Sequence, residues 1–148
     1  EGMNARPALA ASALALVAAL SLTGCSAIDD LVHKQATSTF DDAGAFRDDA
    51  EVDADWVPDD ATAITVRTST VEKAKDAVIL LTSQTDTLPG DCVETSRTSA
   101  PSWTLDDAPS AYEADDVFVC GDWSVIPAED GWYGWTPNSD DEKAAAAE

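Results

Sequence analysis

Apolar residues occur in this chain as one long run near the start and as several short runs further along. The long run covers residues 8–20, and a polar stretch rich in aspartate, threonine and serine fills residues 26–54. Residues 138–148 are polar or alanine. This pattern predicts a globular domain over residues 55–137, preceded by an acidic flexible tether over residues 25–54 and followed by a disordered tail.

Within the predicted domain, the spacing of apolar residues is typical of β-strands. Residues 63–67 alternate, so Ile64 and Val66 share one face of a half-buried strand. Residues 77–81 are continuously apolar and rich in branched side chains, which favours a strand buried on both faces. A helix over residues 71–81 is the alternative, because the residues before the apolar run are good helix formers.

Two further apolar runs flank a turn sequence. Residues 117–120 and 123–126 are joined by Gly121-Asp122, and a two-residue connection of this kind fits a tight hairpin. Together the short runs predict a mainly β domain, a small antiparallel sheet of four or five strands with one disulfide. An α+β fold is the alternative.

The chain has three cysteines and one histidine. Cys92 and Cys120 lie in the predicted domain, and in an oxidising compartment we expect them to form a disulfide. Closing that loop would stabilise the fold by about 3–4 kcal/mol. A zinc site would need further cysteine or histidine ligands beside Cys92 and Cys120, and a histidine-dependent catalytic site needs a histidine in the domain, whereas the one histidine, His33, lies in the tether. We therefore predict no metal site, no cofactor and no catalytic residues.

The first apolar run ends close to Leu22-Thr23-Gly24-Cys25. A short region with one basic residue, Arg6, precedes the run, which is shorter than the roughly 20 residues of a membrane span. This order resembles the signal peptide and lipobox of bacterial lipoproteins, with residues 1–24 as the segment removed. The resemblance implies that Cys25 becomes a lipidated N-terminus. Its acyl chains, palmitate among them, would hold the protein at the extracytoplasmic face of the cell membrane.

The formal net charge is -21, and the acidic residues lie almost entirely after Cys25. Such a surface repels the phosphates of nucleic acids and of anionic lipid headgroups. We therefore expect no nucleic-acid partner, and we expect contact with the membrane through the lipid on Cys25 only.

Four aromatic residues, Trp123, Trp132, Tyr133 and Trp135, are concentrated near the end of the predicted domain. In an extended segment Trp132 shares a face with Gly134, while Tyr133 and Trp135 share the other, so one side should lie outside a single core. Exposed aromatics can stack on sugar rings or anchor a protein, which makes these residues a candidate binding surface. The alternative is that a small domain uses them as core.

Three short motifs in the mature part are similar to segments of lipoproteins of high-GC Gram-positive bacteria: Trp56-Val57-Pro58-Asp59, Val119-Cys120-Gly121-Asp122-Trp123 and Gly134-Trp135-Thr136-Pro137. This resemblance implies no particular activity. The sequence thus predicts a membrane-anchored cell-envelope lipoprotein that is a non-enzymatic binding module for an envelope protein or wall polysaccharide, and it leaves the oligomeric state open. The alternative is a small carboxylate-dependent hydrolase of cell-wall polymer. A pocket with two carboxylates about 5–10 Å apart beside a tryptophan would favour it.

Overall fold

The computed structural model describes residues 34–89 and 91–148, so the predicted signal peptide and Cys25 lie outside the described residues. The described residues form β1 (Gln35–Asp42), α1 (Ala43–Asp49), β2 (Thr62–Ser69), β3 (Ala77–Thr82), β4 (Val93–Ser96), a 3-10 turn (Ala111–Glu113), β5 (Asp116–Cys120), β6 (Trp123–Ala128), β7 (Gly131–Thr136) and α2 (Asp140–Ala146). Neither helix of this part of the chain is long and apolar enough to cross a membrane.

The strands form one antiparallel sheet in the order β1-β2-β3-β7-β6-β5-β4. The prediction of a mainly β fold is confirmed, but the predicted number of four or five strands was too small, since the sheet has seven. The two edge strands, β1 and β4, lack a continuous apolar face because each borders solvent along one side. Strands of this kind give a weak periodic pattern.

Both faces of the sheet are covered. On one face, apolar side chains such as Ile79 and Val125 pack under α1 and the segment that follows it, residues 50–61. On the other face, residues such as Val78 and Ile126 pack under the segment of residues 97–115 and under α2. Residues 77–81 therefore form a strand buried on both sides, as predicted, and the alternative of a helix over residues 71–81 was wrong.

The prediction of a flexible tether over residues 25–54 was wrong for its described part. β1 pairs with β2 through seven of its eight residues, and α1 follows directly. The Asp42 side chain caps α1 by accepting a hydrogen bond from the Ala45 N–H at 2.8 Å. Phe46 is buried in the core and meets Phe40 edge-to-face at 5.6 Å. The polar composition concealed these elements because only one side of each faces the core.

The prediction of a disordered tail over residues 138–148 was also wrong. Asn138 is buried, and its side-chain amide donates to the carbonyls of Gly121 and Trp123. α2 begins with a capping box in which Ser139 and Glu142 each bond the other's backbone N–H. The last residues are therefore docked on the sheet by polar contacts, which hydrophobic patterning does not detect.

Two local predictions are confirmed. Cys92 and Cys120 form a disulfide that ties the start of β4 to the end of β5. Gly121-Asp122 forms the two-residue turn between β5 and β6, with Gly121 at a φ of 62°. A positive φ at the first turn position explains why glycine stands there.

Candidate functional site

The four aromatic residues predicted as a binding surface lie in the core. Trp123 and Trp132 are 6% exposed and pack on one face of the sheet, while Tyr133 and Trp135 are fully buried on the other. Because both faces of the sheet are covered, the aromatic side chains that alternate along β7 enter two separate cores. None of them is exposed to solvent. The prediction of an exposed aromatic surface at these positions was wrong, and the alternative of core packing holds.

The polar atoms of these aromatics are bonded inside the protein. Trp123 Nε1 donates to the Asp53 carbonyl at 2.8 Å, and Trp132 Nε1 donates to the Thr85 carbonyl at 3.1 Å. The Tyr133 hydroxyl donates to the Trp103 carbonyl, and burial raises the pKa of Tyr133 to about 12. Side chains that bond the backbone in this way fix the loops that cover the sheet.

Glu142 is the one buried carboxylate among the described residues, at 1% exposure. It accepts hydrogen bonds from the backbone N–H groups of Thr98 and Ser99 and from the hydroxyls of Ser99 and Ser124, at 2.7–2.9 Å. Burial by itself raises the pKa of Glu142, but these hydrogen bonds outweigh burial and leave its pKa lowered. These bonds join α2 to the segment of residues 97–115 and, through Ser124 of β6, to the sheet, so this cluster is structural.

Two clefts border Trp123 at one end of the sheet. One, of about 410 Å³, is lined by carboxylates that include Asp53, Asp76 and Asp122. The other, of about 350 Å³, is lined by Asp53 and Asp122 again and by Asp91 and the disulfide. Of these carboxylates only Asp76 is even half-buried. A general acid in glycoside hydrolysis needs a carboxyl group withdrawn from water, so the exposed carboxylates favour a solvated acidic surface over a catalytic pair.

No metal centre is formed in the part of the chain that the structure describes. No group of three or more histidine, cysteine, aspartate or glutamate side chains in residues 34–89 and 91–148 is arranged to hold an ion. The third cleft, of about 480 Å³ beside Trp132, is lined by exposed Asp86 from the β3–β4 loop and by exposed Glu129 and Asp130 from the β6–β7 turn.

The β4 edge is the strongest candidate for a binding site. β4 pairs with β5 on one side only, and it is the last strand of the sheet. Arg97 N–H donates to the Asp115 carbonyl at 2.8 Å, one position beyond the register pair of Ser96 with Asp116. Hydrogen-bonded and non-bonded positions alternate in antiparallel pairs. The backbone N–H and C=O groups of Glu94 and Ser96 therefore point outward, away from the sheet.

An exposed aromatic stands at one end of this edge. Tyr112 is 76% exposed, the most exposed of the large apolar or aromatic side chains in the described residues. The Arg97 guanidinium lies 5.5 Å from the centre of its ring, in cation–π geometry. Arg97 is itself fixed, since its guanidinium donates to the carbonyls of Ala114 and Ser99, each at 2.9 Å. Tyr112 thus stacks on a guanidinium that two backbone carbonyls hold in place.

The opposite end of the β4 edge carries Val93, which is 41% exposed. Tyrosine and arginine are enriched among residues that dominate protein interfaces, and an open edge can pair with an added strand. The surroundings of the edge are acidic. Exposed carboxylates there are those of Asp91, Glu94, Glu113, Asp115 and Asp116.

Comparisons with protein-family models, curated proteins and solved structures find no match to this chain. The evidence for the candidate site at the β4 edge is therefore structural. The sequence offered two indications of it that hydrophobic patterning passed over: a tyrosine among polar neighbours at Tyr112, and a short strand that begins beside a disulfide cysteine, Cys92.

Proposed function

We propose that this chain is a cell-envelope lipoprotein, anchored through a lipid on Cys25 at the extracytoplasmic face of the membrane, whose domain binds a partner protein without enzymatic activity. The order of residues 3–26 supports the anchor. The Cys92–Cys120 disulfide supports an oxidising compartment, because disulfides are rare in proteins of the cytosol. The single observation that carries the binding role is the β4 edge with the exposed Tyr112 stacked on Arg97.

The partner that fits this edge is an extended segment of basic character. A strand added to β4 would bond to the outward N–H and C=O groups of Glu94 and Ser96. Its lysine or arginine side chains would lie beside the edge carboxylates, and an apolar side chain could contact Tyr112. A second copy of this chain fits poorly, because two proteins of net charge -21 repel each other.

Proline substitution tests the edge without changing charge. Ser96→Pro removes one outward N–H, and proline is tolerated on edge strands where the N–H faces solvent. The matched control is Thr39→Pro, because the bond from Thr70 N–H to the Lys34 carbonyl places the Thr39 N–H on the outer side of the other edge strand, β1.

Proteins co-purified with each variant from crosslinked membranes provide the measurement. We expect Ser96→Pro to lose the partner captured by the parent chain and Thr39→Pro to keep it. Retention of the partner by Ser96→Pro, with both variants folded by circular dichroism, would show that the β4 edge is not the site.

Substitution of the lipidation residue tests the anchor. Cys25→Ala should leave an uncleaved precursor or release the protein from membranes, as judged by fractionation and by mass spectrometry of the N-terminus. Normal processing together with unchanged membrane retention would contradict the lipoprotein assignment.

Hydrolysis of wall polymer is the second candidate, and the one observation in its support is a cleft lined by Asp76, Asp122 and Trp123. Incubation of the protein with purified wall polymer and assay for released reducing ends tests it. Release that is abolished by Asp122→Asn would support the hydrolase and contradict the proposal of a non-enzymatic protein.

A further inference from the structure

The β4 edge presents two chemically different sides. Side chains alternate between the two faces of the sheet, so Glu94 and Ser96 lie on one face of β4, while Val93 and Thr95 lie on the other. We call these the glutamate side and the valine side. The neighbouring strand β5 continues the same division, because residues in register across a strand pair have their side chains on the same face.

The glutamate side carries negative charge. Glu94 lies opposite Phe118 in register, and Ser96 lies opposite Asp116. The side chains of Glu94 and Asp116 are exposed, and neither forms an ion pair among the described residues. A side chain on this face of an added strand would therefore lie beside carboxylates that have no cation of their own in this part of the chain.

The valine side is apolar. Val93 lies opposite Val119 in register, and Thr95 lies opposite Val117. Val117 and Val119 are buried, whereas Val93 is 41% exposed on the last strand of the sheet. Neither β4 nor β5 carries a charged residue on this side. An apolar side chain of an added strand would pack against Val93, as in the cross-strand pairs of other antiparallel sheets.

α2 covers the valine side. It lies against β4 and β5, and Ala146 contacts the core on this face. Residues 144–147, in the C-terminal half of the helix and directly after it, are all alanine. The exposed carboxylates of this region, Asp140, Asp141 and Glu148, lie at or beyond the two ends of α2. The middle of α2 therefore adds no exposed carboxylate to the valine side.

Charged groups meet the valine side only where β4 ends, beside Tyr112. Arg97 follows β4, and its guanidinium lies 5.5 Å from the centre of the Tyr112 ring. The exposed carboxylates of Glu113 and Asp115 are in the same segment. One guanidinium thus lies among two carboxylates at this end. The contrast between the two sides of β4 therefore applies to the positions of an added strand that face β4 itself.

We infer that the partner segment alternates basic and apolar residues, with its basic side chains on the glutamate side and its apolar side chains on the valine side. This inference rests on the proposed function, because it assigns a pattern to the strand that the β4 edge receives. The side-chain period of a strand is two residues, so a shift by one residue would place the basic side chains against Val93 and the apolar ones against Glu94. The pattern therefore fixes the register of the partner strand and disfavours basic segments that lack it.

Two synthetic peptides of equal composition separate this pattern from general attraction to an acidic protein. In one peptide lysine and valine alternate, and in the other like residues are placed in pairs, so that both faces of its strand are mixed. The full chain is purified in detergent, and binding of each fluorescently labelled peptide is measured by anisotropy. Because both peptides have the same net charge, long-range attraction is the same for both.

We expect the alternating peptide to bind about tenfold more tightly, since each favourable cross-strand pair strengthens binding by roughly 1.4- to 5-fold and the peptide makes several. Glu94→Lys should lower this preference. Glu129→Lys, the same change of charge in the exposed β6–β7 turn, should keep it. Val93→Ser should also lower the preference, whereas Val71→Ser, at a similarly exposed valine of the β2–β3 loop, should keep it.

The outcomes distinguish this inference from the proposed function. Equal binding of the two peptides, lost for both in Ser96→Pro, would overturn this inference and leave the β4 edge as the site. Failure of both peptides to bind would do the same where the partner captured from membranes is lost in Ser96→Pro. Peptide binding that Ser96→Pro does not change would overturn the site and this inference together. Dimers of the free protein that Ser96→Pro dissociates would identify a second copy as the occupant of the edge, which would also overturn both.

Discussion

Replacement of Glu142 by glutamine is expected to weaken the whole fold, although only six residues follow it in the sequence. In the parent protein Oε1 accepts from two backbone N–H groups, those of Thr98 and Ser99. Oε2 accepts from the Ser99 and Ser124 hydroxyls and from the Ser139 N–H. An amide presents N–H groups where one of these oxygens was, so at least one backbone donor loses its acceptor.

The magnitude follows from these bonds. A hydrogen bond to a charged group contributes about 1.5–3 kcal/mol, and a buried donor left without a partner costs about 1–3 kcal/mol. The hydroxyls can rotate to accept from the amide, which recovers part of the loss. We therefore expect Glu142→Gln to lower the free energy of unfolding by about 2–3 kcal/mol.

The effect should depend on pH. The folded-state pKa of Glu142 is lowered, so the carboxylate contributes its full stabilisation above the ordinary glutamate pKa of about 4.3. That contribution is lost as pH falls through the lowered folded-state value. The difference between parent and Glu142→Gln should be constant from pH 8 to about 5 and should shrink in more acidic solution.

Equilibrium urea unfolding followed by tryptophan fluorescence gives the free energies. Glu148→Gln is the matched control, because Glu148 is exposed and lies two residues beyond the end of α2, and its effect should stay within about 0.5 kcal/mol. A loss in Glu142→Gln no larger than in Glu148→Gln would refute the assignment of Glu142 as the acceptor that docks α2. A loss that stays equal at all pH values would show that the carboxylate charge is not involved.

Three other substitutions test the core, the disulfide and one loop. Gly134→Ala would place a Cβ 2.5 Å from the Trp56 ring, so we expect a loss of about 1–3 kcal/mol in urea unfolding, and an unchanged midpoint would contradict that packing. Replacing Cys92 and Cys120 together by serine should cost about 3–4 kcal/mol, measured in the same way, whereas an unaltered stability would mean that the bridge is dispensable. The pKa of Asp60 is lowered by the Ser83 hydroxyl and by donors of Gln84 and Thr85 in the β3–β4 loop. The stability that the Asp60 carboxylate contributes above its ordinary pKa is therefore lost as pH falls through the lowered value. The free energy of unfolding should therefore fall less on acidification in Asp60→Asn than in the parent, and identical acid unfolding curves would disprove this.

Apolar spacing was sufficient to predict two strands of the sheet. Alternation placed Ile64 and Val66 in the same core, and the continuous apolar run of residues 77–81 predicted a strand buried on both sides. The turn at Gly121 and the Cys92–Cys120 bridge were also predictable, because each depends on residue types with few structural uses.

The ends of the domain could not be predicted in the same way. β1 consists mostly of exposed threonine, serine and aspartate, because it is an edge strand with little core contact. α2 is held by the buried Glu142 carboxylate, whereas a pattern of apolar and polar residues predicts that a glutamate is exposed to solvent. In both places hydrogen bonds rather than apolar area hold the segment, and composition does not reveal where those bonds go.

The aromatic residues show a different limit. Alternation correctly placed Trp132 and Tyr133 on opposite faces of β7. The error lay in assuming one core, since residues 43–61 cover one face and residues 97–115 with α2 cover the other. The spacing of apolar residues along one strand shows which side chains share a face. It does not show whether another part of the chain covers that face.

The central claim, that the domain binds a partner at the β4 edge, is tested most directly by photo-crosslinking in living cells. A benzophenone amino acid is placed at Tyr112, and the control is the same residue at Thr87, which is exposed in a loop beyond β3. We predict one crosslinked protein from position 112, absent from position 87 and abolished when Ser96→Pro is added. No adduct from position 112, or the same adduct from both positions with and without Ser96→Pro, would contradict the claim.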